Sequence, residues 1–248
     1  MARHFTFVAA LWAVFPPIGY VLVLNFTPFP VAAAKEAKAI DGAFTLLTLL
    51  SVPVFAFVCA VLAYSLVRWH LKGDPDSDGP ALRGHKPPIV TWFTVTSAPT
   101  IAVIIHPGIT GLREVRAHDN MPVDLLVQVE GRRFFWNVIY PEQGVKSRKE
   151  LVLPIGVVTR FEVTAYDVLH SFWIPAFRIK VDAVPGMYTA IVATPDEFGT
   201  FAQDPNFRLQ CAELCGAGHA TMRLPVRVVS QEEFDTWIAE QSPAKLTR

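Results

Sequence analysis

The sequence predicts a membrane-anchored protein in two parts: transmembrane helices at the N-terminus, then an all-β outer domain built as a sandwich or barrel. Three observations lead there. Apolar residues are concentrated in three runs without a charged side chain, at residues 5–34, 42–67 and 87–112. Beyond residue 112 the texture changes to short alternating runs separated by Gly, Pro, Asp and Asn. Near the C-terminus, "LQCAELCGAGHATMRLP" gathers two cysteines, a glutamate, a histidine and a methionine between residues 211 and 222.

The composition agrees. Charged residues are 18% of the 248 and the formal net charge is zero. Mean hydropathy is +0.34, above that of an ordinary soluble domain. The basic excess of a nucleic-acid binder is missing, so lipid is the expected partner and nucleic acid is not. Three cysteines cannot form a disulfide framework, and Cys59, inside an apolar run, reads as a small buried or lipid-facing side chain.

A spanning helix needs about 20 predominantly apolar residues, and each run is long enough. The first starts basic and then turns apolar, as a signal peptide does. We read it as a retained helix broken or kinked at Pro16-Pro17. The second, "FTLLTLLSVPVFAFVCAVLAYSLV", is the strongest. The third is richer in Thr and Ser, and its Pro99 frees a backbone carbonyl, so it is expected to pack against protein. Arg68, Lys72, Arg83 and Lys86 crowd the loop between the second and third runs, and Arg3 precedes the first. The positive-inside rule puts these in the cytoplasm and everything after residue 112 outside, although Lys35 and Lys38 then lie outside as well. The expectation is a multi-pass protein of a bacterial-type cell membrane, or of the inner mitochondrial membrane.

The chain then divides into four parts: residues 1–42, an apolar helix and outer loop; 43–112, a transmembrane hairpin; 113–229, the extracytoplasmic domain; and 230–248, a C-terminal helix and tail. In "VDLLVQVE", Val123, Leu125, Val127 and Val129 alternate with polar residues, the period of a half-buried strand. "RFFWNVIY", "ELVLP", "VVTRFEVTAY", "MYTAIVA", "FRLQC" and "LPVRVVS" are further strand candidates, with His170 at the end of the third of these. Ser230 and Glu233 form a capping-box pattern ahead of Phe234, Trp237 and Ile238.

Cys211 and Cys215 fit either a disulfide or two thiolates facing one soft metal. His219 and Met222 follow, and imidazole, thiolate and thioether together suit copper. Gly216 and Gly218 let the chain curl His219 back toward the sulfurs. Zinc would have no use for the methionine, and a single-copper loop needs one cysteine. Two thiolates suggest two copper ions bridged by sulfur, which calls for a second histidine. His4, His70 and His85 fall on the cytoplasmic side or in flanking loops, and His106 near the outer end of the third helix reads as interfacial. His118 is a further histidine, and His170 is singled out because the soft cluster needs a second imidazole in the outer domain.

"DVLHSFWIPAFRIKVDAVPG" followed by "QCAELCGAGHATM" resembles subunit II of heme–copper oxidases of the cytochrome c oxidase type, over about residues 43–241. The resemblance implies a cupredoxin-like Greek-key β-barrel or sandwich carrying a binuclear copper A centre. Cys211 and Cys215 would be the bridging thiolates, and His170 and His219 would each bind one copper. Met222 would be a weak ligand, and Glu213 would ligate through its backbone carbonyl. The Glu213 carboxylate would also help bind magnesium at the interface with subunit I. Such a chain takes electrons from cytochrome c or a similar donor and passes them to heme in subunit I, where oxygen is reduced.

The chain departs from the family pattern in four places. Phe134 stands where the family has its surface tryptophan, and Trp136 matches the second one. Asp167 and Asp182 fall at acidic positions facing the donor, yet Arg132 and Arg133 put positive charge beside them, which is hard to square with a strongly basic donor. Ile89, three residues before Trp92, replaces a glutamate of a proton path. Arg223 and Leu224 separate Met222 from Pro225. Other readings are the copper subunit of a nitric oxide reductase of the same superfamily, and a membrane-anchored copper storage or delivery protein. Nitrous oxide reductase needs a propeller domain for which 248 residues leave no room.

Overall fold

The computed structural model describes residues 2–26, 29–69, 84, 86–119 and 122–241. His70, Lys72, Arg83 and His85 of the basic loop lie outside the described residues, as do the tail beyond residue 241 and the His118 side chain. The chain forms two compact units, residues 1–28 with 42–112, and residues 29–41 with 113–248.

The first unit is helical: α1 (Ala2–Asn25), most of α2 (Lys35–Arg68), and α3 (Lys86–Val103). Among the described residues, three spans are long and apolar enough to cross a membrane by length and composition. Of the expected break or kink at Pro16-Pro17, the break is not seen: α1 is one helix through both prolines. Proline removes a donor, but its fixed φ is helical. Packing against α2 holds the helix across that point. The Trp12 indole donates to the Pro53 carbonyl at 2.8 Å. A Cβ on Gly19 would sit 2.7 Å from the Val52 side chain, so the backbones approach closely there.

The third apolar run is not one straight helix. After α3, a π-helical turn spans Ile104–Ile109, and His106 in it has φ −139° and ψ 119°. The physical cause is Pro107, whose ring disfavours helical dihedrals in the residue before it. The His106 imidazole bonds the Thr110 hydroxyl at 2.7 Å. Helix α4 spans Thr110–Asp119, and the division between the two units falls within it, after Leu112. Pro99, by contrast, sits inside α3 without ending it.

The second unit is a two-sheet sandwich. The strands are β1 (Leu125–Arg132), β2 (Phe135–Tyr140), β3 (Val145–Ser147), β4 (Leu151–Pro154), β5 (Thr159–Ala165), β6 (His170–Ile174), β7 (Ile179–Ala183), β8 (Thr189–Ala193), β9 (Gly199–Thr200), β10 (Arg208–Cys211) and β11 (Arg223–Val229), followed by α5 (Gln231–Gln241). One sheet has the order β3-β2-β1-β5-β8, the other β4-β11-β10-β6-β7, with β9 paired to β11. Two pairs are parallel, β1 with β5 and β4 with β11. This is the cupredoxin-like sandwich that the resemblance implies.

The alternation in β1 is as expected: Leu125, Val127 and Val129 point into the core. Phe161 of β5 and Phe172 of β6 meet between the sheets with ring centroids 5.0 Å apart. Tyr140 is fully buried; its hydroxyl donates to the Val152 carbonyl at 2.8 Å and accepts the Val152 N–H at 2.9 Å. Burial raises its pKa far above the ordinary phenol value. His170 does not end the strand before it. A turn at residues 166–169 intervenes, and His170 opens β6.

The expected cap of α5 is present in part. Ser230 Oγ accepts the Glu233 N–H at 3.1 Å. The Glu233 carboxylate, however, takes Arg227 at 2.6 Å. Phe234 and Trp237 of α5 are buried, and the Trp237 indole donates to Glu150 at 2.8 Å.

Residues 29–41 form a strap on the sandwich. Arg178, in the left-handed region at φ 57°, holds it. Its guanidinium grips both Asp41 carboxylate oxygens at 2.8 Å. It also donates to the carbonyls of Pro30, Val31 and Pro175 at 2.6, 3.2 and 2.7 Å. Such a planar fork matches a carboxylate in a way that lysine cannot.

Candidate metal centre

Strand pairing assembles the centre from distant parts of the chain. β6 lies beside β10, with Phe172 opposite Cys211. His170, at the start of β6, is thereby brought beside the Cys211 thiol. Cys215, His219 and Met222 come from the loop between β10 and β11. The Cys211 N–H donates to the Met222 carbonyl at 3.0 Å and closes that loop at its base.

The two sulfurs lie 3.9 Å apart. A disulfide needs about 2.05 Å, and both cysteines are free thiols. Each sulfur has its own imidazole: His170 Nδ1 is 3.7 Å from Cys211 Sγ, and His219 Nδ1 is 3.7 Å from Cys215 Sγ. Met222 Sδ is 3.9 Å from Cys215 Sγ. The Glu213 carbonyl is 3.1 Å from Cys211 Sγ. The donor atoms of His170, Cys211 and Cys215 all lie within 4.8 Å of one another. His170, Cys211, Cys215 and Met222 are buried, while His219 and Glu213 are half-buried.

The electrostatics disfavour a free thiolate at Cys215. Burial, and next the neighbouring Cys211, push the Cys215 thiol up to about 11. Without a metal this thiol keeps its proton, so a metal must displace it. The donors are two thiol sulfurs, each with one imidazole nitrogen beside it, and a thioether at hand. The set fits a copper site.

His170 is oriented from behind. Its Nε2 is 2.9 Å from Asp167 Oδ1. A carboxylate there draws the ring proton to Nε2 and leaves the Nδ1 lone pair toward the sulfur. Asp167 is itself held. Partial burial opposes its ionisation, but the Arg133 backbone N–H at 2.8 Å, His170, the Val168 N–H at 2.8 Å and the Arg133 guanidinium at 3.3 Å outweigh it. Together they hold its carboxyl well below the usual carboxylate range.

Two glycines make room. A Cβ on Gly131 would sit 3.0 Å from the His170 ring and 3.1 Å from Trp136. A Cβ on Gly218 would sit 2.4 Å from the Phe134 ring, so that ring lies directly on the loop bearing Cys215 and His219. Phe134 is 36% exposed; Trp136 is 1% exposed and meets His170 edge-on, with centroids 6.0 Å apart. Of the two aromatic residues, then, Phe134 reaches the surface. Asp182 lies apart from the cluster, at an exposed position of β7 opposite Ser171.

Sequence reasoning brought the six metal-ligand candidates to one region. It did not find the hold of Asp167 on His170, although an Asp three residues before a His was visible. Nor did it find Gly131 or the contact of Phe134 with Gly218, which join segments far apart in sequence.

Comparison with known proteins points the same way. The family described as "Cytochrome C oxidase subunit II, periplasmic domain" matches residues 142–229. Cytochrome c oxidase subunit 2 of Synechocystis is 29% identical over 270 residues, covering 89% of this chain and 77% of that protein. The subunit 2 of Alkalihalophilus pseudofirmus is 31% identical over 200 residues, covering 79% of this chain and 55% of that one. Among solved structures, the periplasmic domain of subunit II of cytochrome oxidase of Bradyrhizobium japonicum is similar, with 31% identity and a TM-score of 0.45, covering 49% of this chain and 95% of that one. With the paired thiols, their two imidazoles and the two-sheet domain that carries them, these likenesses place the chain in the cytochrome c oxidase subunit II family.

Proposed function

We propose that this chain is the electron-accepting subunit of a heme–copper oxidase and holds a binuclear copper A centre. As such it is part of an oxidoreductase whose oxygen-reducing site lies on another subunit. Cys211 and Cys215 would bridge the metals, His170 and His219 would each bind one, and Met222 and the Glu213 carbonyl would complete the set. The observation that carries this reading is the pairing itself: two buried thiols 3.9 Å apart, each with one imidazole nitrogen 3.7 Å from its sulfur. When bound, the centre supplies one-electron storage shared over two copper ions.

The rest belongs to the protein. The buried walls exclude water, which limits rearrangement when charge changes. Asp167 fixes the ring of His170. Phe134 offers a half-exposed aromatic face against the ligand loop and is the point where electrons enter, with Trp136 behind it. Asp167 and Asp182 border the donor's landing site. The donor is cytochrome c or a similar carrier, and the acceptor is heme in subunit I. Glu213 is half-buried beside Leu214, which is 81% exposed. Its side chain is placed in our reading to help bind magnesium against subunit I. The helical unit anchors the chain as a multi-pass membrane protein with the copper domain outside.

The test is the absorption and EPR spectrum of the full chain loaded with copper. A delocalised two-copper signal supports the reading, and a single-copper or silent spectrum refutes it. Turnover of the complex with oxygen against nitric oxide separates the oxidase from the reductase reading.

A further inference from the structure

The end of the sandwich that bears the metal centre has an exposed face of its own. Antiparallel pairing of β5 with β8 puts Val163 opposite Thr189, and a bridge joins Ala165 to Pro185. Tyr166 and Leu169, just beyond β5, therefore emerge at the same end as Met187 and Tyr188, just before β8. Phe134 joins them through its neighbour Arg133, whose backbone N–H binds Asp167. Tyr166, Leu169, Met187 and Tyr188 are 52%, 39%, 52% and 61% exposed. Scattered exposed apolar residues are ordinary, but several gathered at one end of a domain mark an interaction surface.

Two carboxylates at this end, Asp167 and Glu130, are engaged within the domain. Both Asp167 oxygens are engaged by His170, Val168 and Arg133. Glu130 accepts the Tyr166 hydroxyl at 2.9 Å and Asn137 at 3.1 Å, and lies 3.7 Å from Lys146. Asp182 shares the exposed face of β7 with Lys180. Arg132 differs. Its guanidinium lies over the Tyr166 ring, 4.4 Å from the centroid. Among the described residues no carboxylate lies within ion-pairing distance of it. An unpaired arginine on an aromatic platform attracts carboxylates and repels lysines.

We propose that this face docks a redox protein whose cofactor edge is framed by apolar residues and carboxylates, in place of the lysine-rich face of a basic cytochrome c. The proposal deepens the electron-accepting reading, on which the redox nature of the partner rests. Apolar contact with Tyr166, Met187 and Tyr188 provides the short-range attraction, and Arg132 steers the approach.

The experiment titrates the full chain, in a neutral detergent, with an acidic c-type cytochrome and separately with a lysine-rich one. Kd is measured at about 10 mM and about 150 mM ionic strength, between which the screening length falls from about 30 Å to about 8 Å. The acidic cytochrome is expected to bind more tightly at low salt and to lose affinity about fivefold at high salt. Arg132→Glu should weaken its low-salt binding about tenfold, and Tyr188→Ser should weaken binding several-fold, roughly alike at both salts. Tighter low-salt binding of the lysine-rich cytochrome, strengthened by Arg132→Glu, overturns the proposal. So does indifference of the acidic cytochrome to both variants. Copper content and spectrum are measured on the same samples. A chain without a two-copper centre that still shows the expected binding pattern refutes the electron-accepting reading alone. A normal centre with the opposite binding pattern refutes the docking surface alone.

Discussion

Asp167 Oδ1 and His170 Nε2 are 2.9 Å apart, so one carboxylate both orients the imidazole of a candidate ligand and is pinned in turn by the backbone that precedes Phe134. The chain from the surface aromatic to the buried ligand is thus continuous: Phe134, Arg133, Asp167, His170. Partners of this kind are worth roughly 10–100-fold in metal affinity. Asp167→Ala is expected to weaken copper binding by about that factor and to shift the reduction potential. Asp167→Asn, which can still accept from the ring, should recover most of the affinity but not the potential. Competition with a copper chelator and a redox titration read the two separately. Unchanged values in Asp167→Ala would remove the role assigned here.

The thiols make a sharper prediction. Cys215→Ser should abolish the two-copper centre, because a hydroxyl neither bridges soft metals nor loses its proton readily. Met222→Leu should keep the copper and shift its potential, since a thioether 3.9 Å from Cys215 tunes more than it holds. Wild-type copper content and spectrum in Cys215→Ser would contradict the ligand assignment, and an unmoved potential in Met222→Leu would contradict the role of the thioether.

Gly218→Ala tests how closely Phe134 lies on the ligand loop. The added methyl would meet the ring at 2.4 Å, and overpacking of this kind costs about 1–3 kcal/mol. Chemical unfolding should show that loss, and the double variant with Phe134→Ala should recover much of it. Equal instability in single and double variants would place the strain elsewhere.

Tyr140 links stability to pH. Its hydroxyl satisfies both polar groups of Val152. Tyr140→Phe leaves two buried groups unpaired and should cost about 1–3 kcal/mol. The folded pKa is raised above the unfolded value of about 10. The unfolded chain therefore ionises first. The contribution of Tyr140 is complete below pH about 10 and is lost as pH rises through the higher folded value. Wild-type stability should fall more steeply above pH 10 than that of Tyr140→Phe. Parallel pH curves would show that another group sets the alkaline limit.

Arg178→Lys should loosen the strap of residues 29–41. Lysine keeps the charge but cannot reach Asp41 with two donors while also holding three carbonyls. Faster amide exchange at residues 31–36, with the sandwich core unchanged, is the expected result. Uniform protection would show that the strap is held by its other bonds, such as the Ala33 N–H to the Ala176 carbonyl.

The parts of this protein that were legible in advance are those whose signals are local. Three apolar runs need nothing but length and composition to be read as spanning helices. The alternation of Leu125, Val127 and Val129 is a period of two within one strand. Ser230 caps a helix from the adjacent residue. Cys211, Cys215, His219 and Met222 lie within twelve residues of chain, so their chemistry could be read together. Strands as short as β3 and β9, of three and two residues, carry too little pattern to be seen.

What the sequence by itself determined, then, is the division into helices and sandwich and the set of candidate soft ligands. Only the tertiary structure decided how they meet. The pairing of β6 with β10 brings His170 to Cys211 across forty-one positions of chain. The folding of residues 132–134 onto residues 167 and 218 gives His170 its carboxylate and the loop its aromatic cover. Arg178 ties Asp41 to the sandwich from 137 positions away. Pro107 bends a run that composition reads as one straight helix. Propensity and period act over a few residues, whereas these contacts follow from which strand edges pair and which surfaces must be buried together, and that is settled only when the whole domain packs.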